Sequence, residues 1–196
     1  ENQFLWSPEV IEVLSDKLVR PPSEEFRLVV LLPVRANNGA DVTRGQAGEL
    51  ANMDDGAGRF LACSIYAQDD SCDPTPVYVH AKICIVDDER LTLGSANLNE
   101  RSLFNDSEVN IVCDDAALAT ETRERLWAEH LEIPIEEVRE RDPTDLIDNV
   151  WRPIAAEQLQ RREGEQPQTH RLVRLSGVSR RARRLLGPLD SFFVDG

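Results

Sequence analysis

The chain has 196 residues, 36 acidic against 22 basic, for a formal net charge of −14 and a pI near 4.6. A hydrophobic content of 41% suits a globular domain with its own core. The acidic balance argues against extensive binding along a nucleic-acid backbone, and no apolar run approaches the roughly 18 residues of a membrane-spanning helix.

In chain order, Glu1 to Leu5 reads as a strand end. Ser7-Pro8-Glu9 then opens a helix, with Ser as N-cap and Pro in the first turn. Val10, Ile11, Val13, Leu14 and Leu18 recur at helical spacing until Pro21-Pro22 ends it. Phe26 to Leu32 is a continuous apolar run that predicts a central strand covered on both faces. Residues 36–41 read as loop, Thr43 to Asn52 as a short helix, and Asp54-Asp55-Gly56 as a turn. Arg59 to Ala67 predicts another strand, and Gln68 to Pro76 an exposed acidic loop.

Val77 to Val86 is β-branched and apolar between Pro76 and the acidic turn Asp87-Asp88-Glu89, so it predicts a buried strand. Leu91 to Leu93 reads as its antiparallel return, Val109 to Cys113 as a further strand, and Ala116 to Leu131 as a helix. Ile135 to Arg141 and Leu146 to Gln160 are helical in pieces, with Trp151 as a docking anchor. Arg161 to His170 reads as loop, and Leu185 to Val194 as an apolar tail packing back on the domain. This alternation predicts an α/β fold, a mixed β-sheet flanked by helices.

The chemistry concentrates around His80-Ala81-Lys82. The sequence holds three histidines and only two lysines, Lys17 and Lys82, among its 22 basic residues. In a strand, residues i and i+2 share a face, so His80 and Lys82 would stand about 6–7 Å apart, with Val79, Ala81, Ile83 and Ile85 packing the other face. Two polar groups on a buried strand are costly unless something pairs with them, and a phosphate is the natural candidate. The return strand ends in Gly94-Ser95-Ala96-Asn97, so the hairpin brings Ser95 and Asn97 back toward His80 and Lys82. Such a set suits attack at phosphorus. Histidine serves as nucleophile or acid, while Lys82, Asn97 and Ser95 offer a charge and neutral donors to nonbridging oxygens. This logic requires no metal or other cofactor.

The pattern His80-x-Lys82, Asp87, Gly94-Ser95-x-Asn97 resembles the HKD motif of the phospholipase D superfamily. Asn99-Glu100-Arg101-Ser102, Asn105 to Asn110, and the opening Glu1 to Ser7 are also similar to that family. The resemblance implies a phosphodiesterase that hydrolyses a glycerophospholipid, or transfers its phosphatidyl group, through a phosphohistidine. Two HKD motifs meet at a pseudo-twofold interface, and His80, in what looks like the second motif, would be the general acid and base. Asp87, grouped with the catalytic residues by the motif, is usually more structural in the family; Glu108 matches an acid that hydrogen-bonds an active-site His. A cardiolipin-synthase-like transferase, a nuclease and a non-catalytic binding half are the alternatives.

Only one HKD motif is present. The expected partner is therefore an upstream half carrying the first motif, or a second copy of this chain, and the expected surface is phospholipid without a transmembrane segment. Residues 1–131 read as the catalytic half and 132–196 as a helical and loop extension on the same domain. Localisation stays open between soluble and peripheral membrane, in bacterial cytoplasm or outside the cell. The remaining groups read as structural: His130 as packing or capping, His170 as a surface residue without partners, and Cys84 and Cys113 as small buried hydrophobes. A Cys63–Cys72 bridge stays open. Residues 161–184 hold eight arginines, a solvated face or an anionic-lipid contact.

Overall fold

Strand β3 (Phe60–Asp69) organises the molecule because successive side chains enter different cores. Leu61 and Cys63 join Leu131, Val138, Leu146, Ile147, Trp151, Ala155 and Leu172 on one side. Phe60 and Ala62 join Leu18, Leu32, Ala47 and Leu50 on the other. A strand apolar on both faces is what a layered α/β arrangement demands. The computed structural model describes residues 4–34, 40–69 and 72–175. The opening residues 1–3 and the tail with its arginine cluster and Leu185–Val194 lie outside the described residues.

The N-terminal layer holds β1 (Phe4–Trp6), α1 (Pro8–Val19), β2 (Leu28–Leu31) and α2 (Ala40–Met53). Ser7 precedes α1 in extended conformation with Pro8 in the first turn, as expected, but its hydroxyl donates to Glu9 Oε2 at 2.7 Å instead of capping the backbone. β2 pairs parallel with β3 from Leu28↔Phe60 to Leu31↔Cys63. The apolar run at 26–32 predicted the central strand. Among the described residues that place belongs to β3, while β2 is half-buried at the sheet edge.

The stretch expected as an acidic loop contains β4 (Cys72–Pro76), which pairs antiparallel with β3. Two prolines are compatible with strand pairing here because β4 is an edge strand, where a missing N–H can face away from the ladder. β9 (Leu172–Arg174) pairs with β3 over Cys63–Ile65 and completes the four-stranded sheet. The helices α4 (Ala116–Leu131), α5 (Ile135–Glu140), α6 (Pro143–Leu146) and α7 (Arg152–Glu163) cover its other face, with a π-helical turn at Ile147–Trp151. Trp151 is 1% exposed, with Trp127 and His130 edge-on at 5.6 and 5.7 Å.

Strands β5 (Lys82–Val86), β6 (Arg90–Gly94) and β8 (Asn110–Cys113) form a separate antiparallel sheet. The run 77–86 was expected as one buried strand, yet β5 begins only at Lys82, and much of it is exposed. Ile83, Leu93 and Ile111 lie side by side across the three strands and are 36%, 49% and 64% exposed. Pairing from Val77 to Ala81 is limited: the Val77 N–H donates to Ile65 C=O at 2.9 Å, which ties the segment to β3 before the chain leaves for β5. β7 (Leu98–Asn99) pairs with β1, and α3 (Glu100–Phe104) follows directly.

Two smaller expectations change as well, and one open point closes. Cys84 is exposed, not buried, because it sits on this partly uncovered sheet. Cys63 is a free buried thiol whose pKa burial pushes up to about 12. His170 has partners: Nδ1 accepts the Leu172 N–H at 3.0 Å and Nε2 lies 2.9 Å from Leu131 C=O. The Leu172 bond makes Nδ1 an acceptor, so Nε2 carries the proton.

Candidate active site

The β5–β6 hairpin does the first part of the assembly. Val86-Asp87-Asp88-Glu89 turns with φ of 51° at Asp87 and 56° at Asp88, and the Glu89 N–H donates to Val86 C=O at 3.0 Å. Two successive left-handed residues twist the chain as a two-stranded ribbon requires, and aspartate tolerates that conformation better than most residues. Asp88 also accepts from Arg123 Nε of α4 at 2.7 Å, which fastens the turn to a helix. The resulting register sets Lys82 opposite Gly94.

At that end of the hairpin lies an open cleft of about 420 Å³, lined by His80, Lys82, Gly94, Ser95, Asn97, Asn99, Arg101, Ser102, Asp106 and Glu108. The cleft thus gathers five expected residues, His80, Lys82, Ser95, Asn97 and Glu108, from separate parts of the sequence. Asp87 is not among its lining residues. It sits in the turn, about 15 Å away along β5, where its backbone conformation is its visible contribution.

His80 precedes β5, so strict strand alternation does not bring it beside Lys82. Two local contacts hold this segment instead. The imidazole stacks on Tyr78, centroids 5.9 Å apart and planes 23° apart, and Lys82 Nζ donates to His80 C=O at 2.9 Å. The lysine ammonium therefore folds back toward the histidine backbone.

Gly94 permits the close approach of β8. A side-chain carbon there would collide with Val109 C=O and the Asn110 side chain and stand 2.7 Å from Asn110 Cα. Directly after it, Ser95 N–H donates to Val109 C=O at 3.0 Å, and Ser95 Oγ accepts the Val109 N–H at 3.0 Å. The Ser95 hydroxyl proton goes to Glu108 Oε2. Glu108 is drawn below the usual glutamate range, first by Ser95, then by a hydrogen bond from Ser102, with the Lys82 charge adding to both. The site thus carries an ionised carboxylate beside a lysine.

Asn97, Asn99 and Ser102 form a buried polar floor under the otherwise open cleft. Asn99 caps α3, its Oδ1 accepting the Ser102 N–H at 2.7 Å. Asn97 Nδ2 donates to Ser102 Oγ at 3.5 Å. Arg101 and Asp106 pair at the rim, Nε to Oδ2 at 2.9 Å. Asn99, Arg101, Ser102 and Asp106 were not singled out as site residues from sequence. The available signal was Asn99-x-x-Ser102 before a short helix, an N-cap spacing that fixes Ser102 as the third helical residue. Among the described residues no group of three or more His, Cys, Asp or Glu is arranged to hold a metal ion.

A mixed α/β domain thus carries one open cleft that gathers a histidine, a lysine, a carboxylate and neutral donors. The family model described as "Cardiolipin synthase, PLD-like domain" matches residues 37–129, which include every cleft residue. Phospholipase D zeta 1 of Arabidopsis thaliana is 29% identical over 188 residues, covering 67% of this chain and 17% of that protein. Phospholipase D1 of Saccharomyces cerevisiae is 40% identical over 85 residues, 35% of this chain and 5% of that protein. Phospholipase D alpha 1 of Cynara cardunculus is 36% identical over 104 residues, 43% of this chain and 13% of that protein. Through its PLD-like domain at residues 37–129 the chain is similar to the phospholipase D superfamily, and it spans less than a fifth of the length of these relatives.

Proposed function

We propose that the chain supplies one half-site of a phospholipase D-type phosphodiesterase acting on a glycerophospholipid. The observation that carries this reading is the single cleft in which His80, Lys82, Ser95, Asn97 and Glu108 meet. In this reading a histidine of the other half attacks phosphorus and forms a phosphohistidine, while His80 gives its proton to the departing alcohol oxygen. His80 then takes a proton from water, which attacks the phosphohistidine and releases phosphatidic acid. Lys82 and Asn97 stabilise the nonbridging oxygens as negative charge builds on them. With an alcohol in place of water the same steps transfer the phosphatidyl group.

The partner is a second body carrying another HKD motif, either an upstream half or another copy of this chain. The exposed row Ile83, Leu93 and Ile111 supports such a partner, since a contiguous apolar sheet face gains by being covered. The reading makes residues 1–131 the catalytic half and the remainder its support.

The test is turnover of phosphatidylcholine by this chain alone and by the chain co-expressed with a segment bearing a first motif, each with and without His80→Ala. We expect phosphatidic acid, or the transferred product when an alcohol is added, only from the reconstituted pair, with a loss of at least about 100-fold in the variant. Turnover by a monodisperse monomer would overturn the half-site reading. An inactive pair that cleaves DNA instead would replace the lipid substrate with nucleic acid.

A further inference from the structure

The hydroxyl protons around Glu108 have fixed directions, and this has a consequence for Asn97. An ionised carboxylate only accepts hydrogen bonds: the Ser95 proton goes to Glu108 Oε2, and the Ser102 hydroxyl draws Glu108 down as well, as a donor to it does. The Ser102 oxygen is then left with lone pairs alone for any other neighbour. The neighbour it has is the Asn97 carboxamide, whose Nδ2 stands 3.5 Å away. With the amide reversed, Oδ1 would face those lone pairs and two acceptors would meet in a buried place. Asn97 Oδ1 has no hydrogen-bond partner among the described residues, so nothing on its other side competes to turn the group over.

Ser102 is itself immobilised. Asn99 takes its N–H at 2.7 Å, the turn from β7 into α3 fixes its backbone, and the side chains of Asn97, Asn99 and Ser102 are all buried. Resting on the phosphodiester reading above, we propose that Ser102, held by the Asn99 cap, is a positioning residue that fixes the Asn97 carboxamide as a donor toward the ligand phosphate. The relay runs from Asn97 N–H through Ser102 O–H to Glu108. It couples the Asn97 amide to the Glu108 carboxylate. A phosphate meets N–H groups here instead of a repelling carbonyl oxygen, and that is the discrimination the floor provides.

The experiment follows the Glu108 side-chain carboxyl by carbon NMR through a pH titration of the whole chain, unsubstituted, Ser102→Ala and Ser102→Thr. In parallel, the affinity for inorganic phosphate is measured on the same three chains and on Lys82→Ala. The expected result is a Glu108 midpoint below the ordinary glutamate range in the unsubstituted chain, raised in Ser102→Ala and restored by threonine, whose hydroxyl can resume the relay. Phosphate affinity should fall about five-fold in Ser102→Ala, the worth of one hydrogen bond, and recover with threonine. A merely structural serine would move neither the Glu108 midpoint nor its rescue. An unchanged midpoint in Ser102→Ala overturns the proposal. So does an ordinary glutamate midpoint in the unsubstituted chain, a measurement that needs no variant to fold. Loss of phosphate binding in Lys82→Ala supports the phosphate cleft; no phosphate binding by the unsubstituted chain overturns that reading, while the Glu108 midpoints still decide the role of Ser102.

Discussion

At the scale of single residues, the site depends on positions that do no chemistry. Gly94 is the sharpest case. Its missing side chain lets β8 approach closely enough for Ser95 and Val109 to exchange two hydrogen bonds, which in turn aims the Ser95 hydroxyl at Glu108. Gly94→Ala should push β8 outward and destabilise the domain by about 1–3 kcal/mol, the usual cost of overpacking. Chemical denaturation measures that cost, and a variant as stable as the parent would show that the two strands can separate freely. His80 and Lys82 were legible in the sequence because a lysine is rare in this chain and a polar pair in an apolar run needs a partner. Asn99 and Ser102 were harder to see. Their importance arises from a cap and a turn that join the floor of the cleft, and a list of polar residues does not show which ones become buried together.

At the scale of elements, the helical face of the central sheet is anchored by one aromatic. Trp151 ends the π-helical turn and packs between β3, β9 and the C-terminal helices. Trp151→Ala should lower stability by about 3–5 kcal/mol, read as a fall in the denaturation midpoint without loss of the cooperative transition. A second joint is the ion pair of Arg27, just before β2, with Asp148 in the π-helical turn, Nε to Oδ1 at 3.0 Å. The arginine holds the Asp148 carboxyl below the usual aspartate range. The sign follows directly: the unfolded carboxyl has the higher pKa, so the contribution is present above about pH 4 and is lost as pH falls through the lower folded value. Asp148→Asn should cost on the order of 1 kcal/mol at neutral pH and converge with the parent in acid. Equal loss at every pH would assign the effect to packing instead of charge.

The elements were read from sequence with uneven success, for physical reasons. Helix α4 was legible at both ends, where Asp115 caps it and a left-handed Glu132 closes it. Strand β4 was missed because its two prolines and Asp73 look like loop, and only edge pairing with β3 makes them acceptable. The 77–86 run was over-read as one buried strand. Apolar composition records the tendency to be covered, and here much of that sheet faces outward.

At the scale of the whole molecule, the chain divides its tasks between two sheets. The β3 sheet, sandwiched between helices, supplies the two cores, and the β5–β6–β8 sheet carries the cleft at one end. The turn at Asp87 and Asp88 links them through Arg123, so the cleft is braced against α4 at the far end of its own hairpin. Net charge foretells none of this placement by itself: an overall −14 coexists with a cleft that brings Lys82, Asn97 and Ser95 together, the groups that the proposed function assigns to a phosphate. The most direct test is a titration of the isotope-labelled chain with inorganic phosphate, followed by its amide and side-chain NMR signals. Saturable shifts are expected at His80, Lys82, Ser95 and Asn97, with Asp87 unmoved. Shifts scattered over the surface, or none at millimolar phosphate, would contradict it.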